Sequence, residues 1–272
     1  MKKVIIAEKP SVAKNIADAY KIKTRRDGFY EGDDYLVTWA FGHLLQLYDA
    51  KDYDENMKGW RMEKFPFIPE DFKYKIKCDS SNREVVDKGA EKQINIIKSL
   101  IDRDDVDGVI SATDFDREGQ VISDELFIHY DIKKPIYRLL LNEWTEDEVK
   151  KGMANLKPNS DMKPLQDAGI GRQLADWTIG INLTSVATLR YGASEKKTIN
   201  IGRVLLPTLK IIYDRDKEIA DFKVTKYYKL KGIFQTEEKK DFDSIYYVKG
   251  NEKFDNPEEL KEIQESLRKK II

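Results

Sequence analysis

The 272-residue sequence has one cysteine, Cys78, and two histidines, His43 and His129. A single thiol excludes an intrachain disulfide framework and any paired-cysteine zinc site, and two imidazoles leave little for a histidine-built metal centre. Such sparing use of cysteine predicts a reducing, cytoplasmic compartment. Long apolar runs are missing as well. The opening MKKVIIAEKPS holds only four consecutive apolar residues, too few for a signal-peptide core, and no stretch approaches the ~18 that cross a bilayer. No membrane partner is predicted. Nor does one sign of charge dominate: 48 Lys and Arg face 49 Asp and Glu. A uniform basic coat is excluded, so any nucleic-acid contact must come from local patches. No GxxxxGK[ST] loop is present, so no ATP use is indicated, and Gly169-Ile170-Gly171 lacks the third glycine and preceding strand of a dinucleotide fingerprint.

What is present builds a core. Forty per cent of the residues are hydrophobic, which excludes a disordered chain. Val4–Ala7 is a continuous apolar run, as in a strand buried on both faces, and Val12, Ile16, Ala17 and Tyr20 follow at helical spacing. Residues 35–41 and 108–112 read as further strands, and 84–101 and 120–130 as helices. This β-α alternation predicts an open, mostly parallel sheet with helices on its faces. Residues 49–72, where prolines alternate with aromatics, read as a long ordered loop. Residues 145–190 are helix-compatible, interrupted at Pro158, Pro164 and the glycines near 169–171. A turn-rich patch at 192–202 precedes a helix over 207–219, strand-like alternation begins at Phe222, and a charged helix over 257–270 ends the chain. Trp39, Trp60 and Phe65 read as core or loop-anchoring aromatics that could alternatively stack on bases.

Four carboxylates stand out: Glu8, Asp114, Asp116 and Glu118. Glu8 follows the first strand and Asp114 the strand ending at Ala112. Ligands of open parallel sheets bind beyond the carboxyl ends of strands. If the two strands are neighbours, the four acids converge. They then need raised pKa values or a hard cation, and oxygen-only ligands suit Mg²⁺, which works on phosphate esters. Solvated loop charges remain the plain alternative. Charge is also segregated: residues 1–26 carry eight Lys or Arg against Glu8 and Asp18, and residues 102–118 carry seven acids against Arg103 and Arg117. A basic rim around an acidic, metal-filled pocket suits a phosphodiester substrate. His43, just after a strand, either contacts a phosphate or is packed and hydrogen-bonded.

The segments IIAEKPSVAKNIADAY, VTWAFGHLLQL and SATDFDREGQ resemble, in order, the Toprim domain of type IA DNA topoisomerases, closest to topoisomerase III. LQDAGIGRQLADWTIGINLTSVATL and INIGRVLLPTLKIIYDRDKEIADF resemble the helical domain that follows it. The resemblance implies an α/β Toprim domain, Rossmann-like with a mostly parallel sheet, over 1–143. It further implies a helical DNA-binding domain over 144–221 and the start of a strand-rich domain over 222–272. Its members cut one DNA strand through a tyrosine that keeps the 5′ phosphate, pass another strand and reseal. By resemblance, Glu8 assists proton transfer at the 3′ oxygen, and Lys9 steadies the scissile phosphate. Asp114, Asp116 and Glu118, with Glu8, hold Mg²⁺. Lys9, His43, Arg117, Arg172, Asp176 and Arg203 are the DNA-contact candidates, Arg172 and Asp176 matching an Arg-x-x-x-Asp pair for single-stranded DNA.

Three positions depart from the family pattern, none within the four-acid set. Gln120 replaces the last Glu of DREGE, Ser185 an Arg after Asn-Leu-Thr, and Leu205 the Gln of GRVQ. The nucleophile block, Tyr-Pro-Arg-Thr-[Asp/Glu]-Ser, has no counterpart here, so this chain is expected not to complete the reaction alone. A Mg²⁺-dependent Toprim nuclease and a non-catalytic DNA-binding module are the competing readings.

Overall fold

Alternation along the first strand sets the architecture. In β1 (Lys2–Ala7), Val4 and Ile6 enter one core while Ile5 and Ala7 enter another, all fully buried. A strand covered on both faces requires this. The computed structural model describes residues 1–141, 143–192 and 197–268. By packing it divides into two units, Met1–Pro207 and Thr208–Ile272.

The first unit runs α1 (Pro10–Ala19), β2 (Thr24–Arg26), β3 (Phe29–Glu31), β4 (Tyr35–Trp39), β5 (Leu45–Leu47), α2 (Ala50–Tyr53), β6 (Tyr74–Ile76), α3 (Lys88–Ile101) and β7 (Val106–Ala112). It continues with α4 (Arg117–His129), β8 (Ile136–Arg138), α5 (Glu146–Met153), β9 (Lys157–Pro158) and α6 (Lys163–Ala187). Seven strands form one sheet in the order β2-β3-β4-β1-β7-β8-β9. Its centre, β4-β1-β7-β8, is parallel. Helices α1 and α5 cover one face and α3 and α4 the other, giving the expected α/β fold.

Both edges are antiparallel additions that the hydrophobic pattern does not announce. β2 and β3 join through Asp27-Gly28, a two-residue turn with Gly28 at φ +80. Asp-Gly is a strong hairpin signal. β9 contains Pro158, which an edge strand tolerates. The helix expected from residue 84 starts at Lys88 because Asp87 caps it, accepting from the Gly89 and Ala90 N–H groups at 2.8 and 3.0 Å.

Residues 49–72 hold α2 and two short 3₁₀ turns, pinned against α6. Trp177 Nε1 donates to the Tyr48 carbonyl at 2.9 Å, and the Asn182 amide brackets Phe67, accepting from its N–H and donating to its carbonyl. Rings of Tyr53, Phe67 and Phe72 pack around Trp177. Helix α6 has Pro164 in its first turn and runs unbroken through Gly169 and Gly171. The interruption expected at those glycines does not occur: at Gly169 packing against α4 rewards a small residue, while nothing stands within 4 Å of a Cβ at Gly171. A π turn, Thr188–Gly192, follows.

Helix α7 (Leu205–Ala220) leads into the second unit, where β10 (Lys231–Gln235) and β11 (Asp241–Ile245) pair antiparallel and α8 (Pro257–Arg268) follows. Phe234 and Phe242 stack across the pair at 5.6 Å. The last residues of the expected terminal helix, 269–270, and part of the 192–202 patch lie outside the described residues. Among the described residues no helix is long and apolar enough to cross a membrane.

Candidate metal and nucleic-acid site

β1 and β7 are parallel neighbours in register Ala7↔Ala112. The residues that follow each strand therefore emerge side by side. Glu8 Oε2 accepts the Asp114 N–H at 3.1 Å, joining positions 106 residues apart. Lys9 Nζ lies 3.7 Å from Glu8 Oε1 and is half exposed. The Asp114 side chain takes no hydrogen bond among the described residues. Asp116 is the N-cap of α4, accepting from Gly119 N–H at 2.7 Å. Gly119 is required: a Cβ there would stand 2.2 Å from the Asp114 carbonyl oxygen. Arg117 is exposed on the first turn of α4.

Glu118 turns elsewhere. Its Oε1 lies 3.0 Å from His43 Nε2, and His43 Nδ1 lies 3.0 Å from Glu125 Oε2. The expected convergence of all four acids on one point is thus not found. Among the described residues no three His, Cys, Asp or Glu side chains are placed to hold a metal ion. Glu8 and Asp114 are joined, Asp116 is committed to its cap and Glu118 to His43. Mg²⁺ needs only one or two carboxylates and keeps several waters. Asp114, half-buried and without a donor, and the second oxygen of Asp116 fit it in kind.

His43 is packed and hydrogen-bonded rather than open. Burial pulls its pKa down, but the hydrogen bonds and charges of Glu125, then Glu118, outweigh this and lift it to about 9. Burial pushes the Glu125 carboxyl up against the opposing pull of His43.

Beneath the acidic loop lies a charge that pattern reading of the sequence misses. Arg138, at the end of β8, is fully buried. Its Nη2 donates to the Asp114 carbonyl at 2.7 Å, its Nη1 to the Thr113 carbonyl at 2.8 Å, and its Nε to Gln120 Oε1 at 2.9 Å. Burial lowers its pKa to about 10 against the opposing charges of Asp124, Asp114, Asp116 and Glu8. Gln120 Nε2 in turn donates to Asp124 Oδ2 at 2.7 Å, and Asp124 also accepts from Asn159 and from Gln166 of α6. An arginine in a short strand near the sheet edge carries no periodic signal, which is why it goes unnoticed.

Arg172, Asp176 and Arg203 come together. Asp176 lies between the two guanidinium groups, 3.5 Å from Arg172 Nε and 3.2 Å from Arg203 Nε. Thr184 Oγ1 of α6 accepts the Ile201 N–H at 2.9 Å and so seats the segment carrying Arg203. A cleft of about 200 Å³, lined by His43, Glu118, Arg172 and Asp176 among others, lies between Arg172 and Asp176 of α6 and Glu118 in the first turn of α4. α6 approaches α4 closely at Gly169, where a Cβ would stand 2.4 Å from Val121 Cγ2 and 2.8 Å from the Arg117 carbonyl.

Residues 3–144 match the Toprim domain profile, and residues 160–272 match a second profile described as DNA topoisomerase. The chain belongs to the type IA DNA topoisomerase family. It is 36% identical over 268 residues to DNA topoisomerase 3 of Staphylococcus aureus strain MRSA252, covering 98% of this chain and 35% of that protein. It is 40% identical over 227 residues to DNA topoisomerase 3 of Bacillus thuringiensis strain Al Hakam, covering 84% of this chain and 29% of that protein. Full-length topoisomerase I from Thermotoga maritima superposes with a TM-score of 0.56 at 26% identity, over 96% of this chain and 37% of that one. The chain spans about a third of the length of these relatives.

The three departures from the type IA topoisomerase pattern fall in different surroundings. Leu205 is exposed, whereas Ser185 is fully buried with its hydroxyl unpartnered among the described residues. Gln120 lies outside the four-acid set, as expected, yet is one hydrogen bond from the arginine that holds the acidic loop.

Proposed function

We propose that this chain supplies the cation-binding and single-stranded-DNA-binding part of a type IA topoisomerase, which cuts, passes and reseals DNA. The hydrogen bond between Glu8 and the Asp114 N–H carries the reading, because it brings both acidic segments to the carboxyl ends of neighbouring parallel strands. Asp114 and Asp116 hold Mg²⁺, with Glu118 available once it leaves His43. The bound ion supplies electrostatic stabilisation of phosphate oxygens. Glu8 holds and returns the proton at the 3′ oxygen, and the neighbouring Lys9 ammonium orients the phosphate. Arg172 and Arg203 grip the DNA backbone, and Asp176 fixes their approach. The chain alone does not complete the cycle, since the family's tyrosine block has no counterpart in this sequence.

Titration calorimetry tests the cation site. Asp114→Asn with Asp116→Asn is expected to abolish the Mg²⁺ heat while leaving the circular dichroism unchanged, because Asn caps helices about as well as Asp. Unchanged heats would overturn the site. A plasmid nicked by this chain with Mg²⁺, and no longer after Asp116→Asn, would replace the topoisomerase reading with a nuclease one.

A further inference from the structure

The basic amino-terminal segment noted in the sequence finds a place here. A pocket of about 530 Å³ lies between the tip of the β2-β3 hairpin and the first turns of α3, lined by Arg25, Arg26, Lys92 and Phe41. Phe41 is 52% exposed. It follows β4, the parallel neighbour of β1 on the side away from β7. The flanking residues are tied to the acidic site: the Ala40 N–H donates to the Ala7 carbonyl at 2.8 Å and the Gly42 N–H to the Glu8 carbonyl at 3.3 Å. Phe41 and Glu8 therefore share the rim at the carboxyl ends of the strands, one strand spacing apart, roughly 5 Å, and the pocket extends from Phe41 past β3 to the tip of β2, away from Glu8.

We propose that this pocket is a nucleotide subsite for the DNA strand beyond Glu8, with backbone phosphate on Arg25, Arg26 and Lys92 and a base stacked on Phe41. The inference rests on the single-stranded-DNA reading above and extends it to the far side of the acidic loop. The chemistry is that of strand binding without sequence readout: cations that follow the backbone beside an aromatic ring open to a base. Arg25 pairs with no carboxylate among the described residues and lies over the Tyr30 ring at 6.0 Å. Arg26 and Lys92 are held by Glu31 and Asp27 at 3.0 and 2.8 Å in exposed pairs. Such pairs are weak, so a phosphate displaces them at little cost. The hairpin tip is closely seated on α3: Gly28 takes a positive φ and a Cβ there would stand 2.4 Å from Ile96 Cδ1. Gln93 Nε2 further fastens it, donating to the Gly28 and Trp39 carbonyls at 3.2 and 2.8 Å.

Fluorescence anisotropy with a labelled 16-residue oligothymidylate, on the full 272-residue chain, tests it. Arg25→Ala with Arg26→Ala and Lys92→Ala is expected to weaken binding and to flatten the salt dependence by about one unit of slope for each phosphate no longer held. Phe41→Ala is expected to weaken binding about fivefold or more without changing the slope. A control of equal charge change, Lys133→Ala with Lys150→Ala and Lys151→Ala, is expected to change both far less. Wild-type affinity in the first two variants, or an equal loss in the control, overturns the subsite and leaves the parent reading standing. A wild-type chain that does not bind the oligonucleotide overturns both. Deoxythymidine monophosphate binding this pocket as tightly as the oligonucleotide would assign it to a free nucleotide and overturn the strand proposal.

Discussion

At the scale of single residues, Arg138 and His43 support the acidic loop from below and from the side. Arg138 satisfies two carbonyls that would otherwise be buried without donors. Arg138→Ala is expected to cost ~3–5 kcal/mol of stability, read by urea denaturation, because it leaves those carbonyls and the Gln120 Oε1 without a donor. Lysine should rescue little, since one ammonium cannot reproduce the planar fork. His43 gives a pH-dependent contribution. Its folded-state pKa, about 9, exceeds its ordinary value of 6.5. Its stabilisation is therefore fully present below pH 6.5 and is lost as the pH rises through about 9. Thermal melts in chelator from about pH 6 to about pH 9.5 should show this decline, and His43→Gln should flatten it. The acids were legible from sequence because DFDRE is a local pattern behind a buried strand. Arg138 and Glu125 were not, since their roles arise only when distant segments pack around them.

At the scale of elements, small residues decide which helices can meet. α4 and α6 touch through Gly169, where any larger side chain strikes Val121 and the Arg117 carbonyl. Gly169→Ala is expected to cost ~1–3 kcal/mol by overpacking, read by urea denaturation. Gly169→Leu should also weaken single-stranded-DNA binding by shifting Arg172 relative to the acidic loop. Equal DNA affinity in a folded Gly169→Leu protein would show that the two helices act independently. The parallel core strands and their helices were readable as apolar runs and helical spacing. The short strands were not: parallel β8 and the antiparallel β2, β3 and β9 are two or three residues long, too short for periodicity to register. Asp27-Gly28 was the one local clue to the first hairpin. Gly169 reads as a break because sequence alone does not show the neighbour that makes a small residue favourable.

At the scale of the whole molecule, burial is uneven. The first unit encloses two cores on either side of its sheet. In the second, Leu260 is the buried hydrophobic residue among those described. Hydrogen exchange is therefore expected to be fastest across 208–268 and slowest in β1, β4 and β7. Uniform protection would contradict this ordering. Composition placed the chain among folded proteins and the motifs supplied its family, but neither shows where packing divides it.

The close seating of α6 on α4 has one more consequence. Arg172 and Asp176 ride on one helix, and Asp116 and Glu118 stand at the head of the other. With the two helices locked at a glycine, the span between the gripping arginines and the acidic loop is set by backbone rather than by adjustable side chains. For a strand held as proposed, that span works as a ruler, presenting to Glu8 a phosphate at a constant count of nucleotides from the grip.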